Sequence, residues 1–144
     1  MADVIQPLLS SLNPSVAGTD FSNVFDTKDF RDFAFVLRMP TTTGAITDTI
    51  NFFIEASSEK TFNSAHKIRT IKIEDPSGTK ADQFTEVTGA LSLPSDTNTA
   101  TPLRQKWNVR DVNIDRFIRI RHVIVNTPGS FTNIDLDLLC NRKV

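Results

Sequence analysis

From residue 32 onward the chain alternates apolar and polar positions with the period of a β-strand. Within 32–39, Phe33, Phe35, Leu37 and Met39 fall on one face, and Asp32, Ala34, Val36 and Arg38 on the other. Alternate residues of a strand project to opposite sides of a sheet, so the first set is expected to be buried. The run 45–56 puts Ile46, Ile50, Phe52, Ile54 and Ala56 on one face, with Asp48 out of pattern. Thr47, Thr49, Asn51, Phe53 and Glu55 take the other. Joined by the polar stretch 40–44, the two runs predict an antiparallel hairpin. Further strands are expected at 67–74, 83–93 and 103–109, with a Pro/Gly turn at 75–78 and a long polar loop at 94–102.

The last third carries the clearest alternation. Ile118, Ile120, His122 and Ile124 share one face of the run 116–125, and Phe117, Arg119, Arg121, Val123 and Val125 the other. After a turn at 126–130, Ile134, Leu136, Leu138 and Cys140 alternate with Asn133, Asp135 and Asp137. These runs predict a second hairpin, in which Arg119 and Arg121 would face Asp135 and Asp137 across the strands. In all, about seven to nine short strands separated by turns predict an all-β fold, a β-sandwich or jelly roll of antiparallel strands.

The first residues follow neither period. Pro7 and Pro14 push the residues before them into extended geometry, which fits an edge strand or an arm. Val4, Ile5, Leu8, Leu9 and Leu12 need an apolar surface, in this domain or in a neighbour. The chain therefore divides into an extended N-terminal arm at 1–18 and a single β-sandwich domain at 19–144.

Composition narrows the function. Apolar residues make up 39% of 144, so the core is modest and much of the surface polar. Eleven Phe against one Trp and no Tyr read first as core filling, which argues mildly against a lectin. A net charge of −1 offers no global field for nucleic acid or an anionic membrane. One cysteine forms no internal disulfide, which suits a reducing cytosol. The N-terminus lacks a basic and then apolar leader, and no apolar run reaches the roughly 20 residues of a membrane span.

Candidate chemistry is sparse. Cys140 belongs to an apolar strand face and reads as a small buried hydrophobe. His66 and His122 have no sequence partner that would make them catalytic, and read as packing or surface residues. Two separated His and one Cys do not make a zinc set, and neither Asp135/Asp137 nor Glu74/Asp75 resembles a calcium loop. Five scattered glycines form no phosphate loop. Arg119 and Arg121 make a local basic spot, too small and too interleaved with acids for nucleic acid. A non-enzymatic, cofactor-free, metal-free binding protein is expected, with Val4, Ile5, Leu8, Leu9, Leu12, Arg119 and Arg121 as its protein interface.

The order of elements adds a family likeness. It is carried by Thr19-Asp20-Phe21-Ser22-Asn23-Val24-Phe25-Asp26-Thr27, the strand at 33–39, the Thr-Gly loop at 41–44 and the run 47–57. Arg116-Phe117-Ile118-Arg119-Ile120-Arg121 and Thr127-Pro128-Gly129-Ser130-Phe131-Thr132 complete it. This layout resembles the β-sandwich decoration, or cement, proteins of tailed-phage capsids, from about residue 19 to the C-terminus. The resemblance implies a homodimer or homotrimer on the outer virion surface, made in the host cytoplasm, whose partner is the major capsid protein. It implies no nucleic acid, membrane or small-molecule substrate. Tail and head-fibre proteins share the layout, so a tail or fibre component, or a carbohydrate-binding host-recognition module with Trp107 in its site, is the alternative expectation.

Overall fold

The computed structural model describes residues 4–39, 47–71, 73–74, 80–81, 83–88, 103–109 and 115–143. The loops expected at 40–44 and 94–102, the turn at 75–78, and the side chains of His66 and Trp107 lie outside the described residues. The described strands are β1 (Val4–Leu12), β2 (Gly18–Phe21), β3 (Phe25–Asp26), β4 (Phe30–Met39), β5 (Thr49–Ser57), β6 (Ile68–Ile71), β7 (Ile73–Glu74), β8 (Lys80–Ala81), β9 (Gln83–Thr88), β10 (Leu103–Asn108), β11 (Phe117–Val125) and β12 (Ile134–Arg142). Two short 3-10 turns, Ala65–Lys67 and Pro128–Ser130, interrupt them.

The strands form a β-sandwich of antiparallel sheets. The first sheet runs β1-β12-β4-β10. The second is built on the long pair β11-β5, which is in register from Phe117 opposite Ser57 to Val125 opposite Thr49. The outer edge of β11 is shared by β3 and β2, and that of β5 by β6 and β9. The β7-β8 ribbon stands apart, pairing on either side of 75–79.

The alternating faces meet between the sheets. Phe35, Leu37, Met39, Ile134, Leu136 and Leu138 come from the first, and Ile50, Phe52, Ile54, Ala56, Ile118, Ile120 and Ile124 from the second. All are buried in one core, as the alternation requires. Cys140 is buried as well.

Two expectations about connections are overturned. Strands 32–39 and 45–56 are not a hairpin: β4 lies in the first sheet and β5 in the second. Nor are β11 and β12 neighbours, for the segment between them carries the chain from one sheet to the other. That segment is too long for a tight hairpin. Asn126 (φ 68°) and Asn133 (φ 50°) bend it at both ends in the left-handed region that Asn tolerates. Between them Phe131 is fully buried in the core, anchoring the crossing. Strands that face each other across a sandwich bury the same alternate residues as strands paired side by side, so periodicity does not separate the two.

The segment set apart as an arm is also different. Val4–Leu12 is the edge strand β1, pairing along β12 from Val4 opposite Cys140 to Leu12 opposite Ile134. Its register slips between Pro7 and Leu9 and again before Leu12, and Ser11 has φ 47°. The slip turns two consecutive residues inward, so Leu8 and Leu9 are 3% and 6% exposed. Proline is tolerated here because an edge strand leaves one row of N–H groups unpaired. Of the two readings left open by the prolines, the edge strand is the one this chain adopts.

Candidate protein-binding surface

The five expected apolar interface residues separate into three groups. Leu8 and Leu9 are consumed by the protein's own core and are removed as contact residues. Val4 and Leu12 are half-buried, Leu12 against that core. Ile5 alone of the five stands out, 63% exposed.

Arg119 and Arg121 are built into the outer face of the second sheet. The β11-β5 register sets Arg119 opposite Glu55 and Arg121 opposite Phe53. Arg119 Nε donates to Glu55 Oε1 and Arg121 Nε to Oε2, each at 3.0 Å. Glu55 is buried beneath them. The Arg119 guanidinium lies 3.8 Å from the Phe21 ring centre and 4.2 Å from that of Phe62, and Arg121 lies 4.0 Å from that of Phe53. Phe62 takes φ 53°, rare for a bulky residue, and its ring lies against Arg119. Charge-assisted bonds and ring stacking thus hold both arginines.

The expected partners of these arginines are corrected with the hairpin. Asp135 and Asp137 lie on the other sheet. Arg38 Nη2 donates to Asp137 Oδ2 at 2.6 Å, and Asp135 Oδ1 accepts the Ser11 N–H at 2.8 Å. Asp135 therefore fixes β1 beside its left-handed kink. The acidic row was visible in the sequence; which basic residues it meets depends on sheet order, and that was not.

A feature missed by pattern reading lies between β1 and β2. Asn13 holds this crossing: its Nδ2 donates to Ser11 O and its Oδ1 accepts the Asn133 N–H. Gly18 follows at φ 118°, a conformation that side chains other than glycine strain to adopt. The crossing borders a half-open cavity of about 440 Å3 lined by residues 12–20 with His122 and Ile124. His122 is 3% exposed and its Nδ1 has no hydrogen-bond partner. Burial holds the imidazole below its ordinary value of 6.5, with Asp20 opposing the shift. At the mouth Val16 is 76% exposed. The register that sets Gly18 opposite Ile124 brings exposed Val125 to the same end. The sequence signal was present in Val16, an apolar residue in a Pro/Ser/Gly stretch with no strand period to serve.

Among the described residues no three His, Cys, Asp or Glu side chains gather as a metal site would require. No family model and no curated protein matches this chain. Among solved structures, the cleaved K1 adhesin domain of Lys-gingipain from Porphyromonas gingivalis W83 is similar over 97% of this chain and 73% of its own length. The TM-score is 0.40 and the identity 12%, a likeness that carries no argument about function.

Proposed function

We propose that this chain is a structural virion protein that docks on the outside of a shell of major capsid subunits, as a homodimer or homotrimer, and stabilises that shell. The observation that carries the protein-binding half of this reading is the placement of exposed apolar side chains. Of the four large hydrophobic residues exposed among the described residues, Ile5, Val16 and Phe21 lie in the first 21 residues, and Val125 follows Ile124, which pairs with Gly18. Exposed apolar side chains concentrated in one segment of a chain are what a protein partner covers. The capsid as partner rests on the family resemblance of the layout. A lattice presenting many copies of one site adds avidity to a modest single contact.

The test is co-sedimentation with shells assembled from the major capsid protein encoded near this gene. The wild-type chain should pellet saturably, and Val16→Asp should weaken that at least about tenfold, the effect of losing one buried apolar anchor. Val16 packs in no core, so the folded state should be unchanged by circular dichroism. A wild-type chain that stays in the supernatant at every shell concentration would remove the reading.

A further inference from the structure

The cavity beside Val16 has a chemistry of its own. Among its lining residues Asp20 is the one acid and there is no Lys or Arg, so with His122 neutral its field is negative. Its one charged group is an acceptor. Asp20 Oδ1 takes the Phe21 N–H at 2.8 Å, while Oδ2 has no hydrogen-bond partner among the described residues. His122 Nδ1 is buried without one. The backbone of residues 13–17 makes no backbone hydrogen bond among the described residues, which leaves both its carbonyls and its N–H groups open. Leu12, Pro14, Val16 and Ile124 supply apolar wall between these groups.

An anion is repelled by Asp20. A divalent cation needs more oxygen ligands than one carboxylate supplies. An uncharged polyol would leave the carboxylate unneutralised and the apolar wall unused. A guest with a cationic N–H head and a hydrocarbon stem satisfies both, since such side chains lay the stem on apolar surface and keep the head on a polar partner.

We propose that this cavity binds an aliphatic primary ammonium group, as a lysine side chain of the docking partner presents it, with the ammonium on Asp20 and the stem along Val16, Pro14 and Ile124. The inference rests on the docking reading above and names the partner's anchor. His122 closes the buried side of the cavity as a neutral ring.

The experiment titrates the full, 15N-labelled chain with n-butylammonium chloride at pH 7.5, following the amides of residues 19–21 and the His122 imidazole. Saturable shifts at these positions are expected. Asp20→Asn, at an exposed side chain, should weaken them about tenfold or more, the loss of one charge-assisted contact. n-Butanol, with the same stem and no charge, should give no saturation. The proposal is overturned if n-butylammonium gives no saturable shift, if Asp20→Asn binds it equally, or if n-butanol or methyl glucoside saturates the same residues as tightly. Failure here is separable from failure of the docking reading. If shells still bind the wild type and lose Val16→Asp while n-butylammonium does nothing, only the lysine anchor falls.

Discussion

At the scale of single residues, the polar groups on otherwise apolar faces explain themselves once partners are known. Asp48, just before β5, stands on an otherwise apolar face because its Oδ1 accepts the Thr127 N–H and ties down the start of the β11-β12 crossing. Glu55 has the opposite setting, on an outward face yet buried, because two arginines close over it. Glu55→Ala leaves Arg119 and Arg121 adjacent, alike in charge and without their shared carboxylate. It should destabilise the fold by about 3 kcal/mol, as breaking a largely buried ion pair does, read as a lower urea midpoint. An effect below about 1 kcal/mol would mean the stacking on Phe21, Phe62 and Phe53 holds the arginines unaided. His122 sets a pH dependence. Its folded-state value lies below the ordinary 6.5, so the unfolded chain takes up the proton first. Its stability contribution is complete above 6.5 and is lost as pH falls from there toward the lowered value. The charged group facing it is Asp20, on β2; β5 presents Phe52 opposite, and Ile120 and Ile124 flank it on its own strand. Urea midpoints measured between pH 7.5 and 5 should fall for the wild type and flatten in His122→Leu. Equal slopes would place the titration elsewhere.

At the scale of elements, β1 shows what pattern reading reaches and where it stops. The strands β4, β5, β11 and β12 were legible because each turns one apolar face into the core, although β4 also buries Ala34 and Val36 on the other. β1 was ambiguous because its slip buries Leu8 and Leu9 in succession, which breaks the period a strand is recognised by. Their packing makes truncation informative. Removing residues 1–12 uncovers the edge of β12 and empties the space of two core leucines, each worth about 2–5 kcal/mol on replacement by Ala. The truncated chain should therefore unfold or lose most of its stability, and Leu8→Ala alone should lower the urea midpoint clearly. A truncated chain with the wild-type melting temperature would mean that the segment is an arm after all. The candidate site was illegible for a related reason. Arg119 and Arg121 stand out as a pair, but Glu55, Phe21 and Phe62 come to them only through sheet order, and the His122 cavity only through the β1-β2 crossing.

At the scale of the whole molecule, the crossings decide how the fold behaves. A protein made of local hairpins can lose one and keep the rest. Here β4 leads to β5 and β11 to β12 across the core, and β1 returns to pair with β12 from the far end of the chain. Each sheet thus contains strands from both halves of the sequence, and neither half can bury its apolar faces alone. Thr27 adds a further long-range tie: its N–H and Oγ1 both donate to Arg116 O, joining the turn after β3 to the start of β11. Unfolding should then be a single transition, with far-ultraviolet circular dichroism and the emission of Trp107, on β10 of the first sheet, giving coincident urea curves. Folding should be slow for this size, about milliseconds to seconds, because almost every pairing closes a long loop before it is rewarded. Two separated transitions, or refolding in microseconds, would show that one sheet forms without the other. By the same interlocking, a pull on β1 would load β12, the strand beside it, and through it β4.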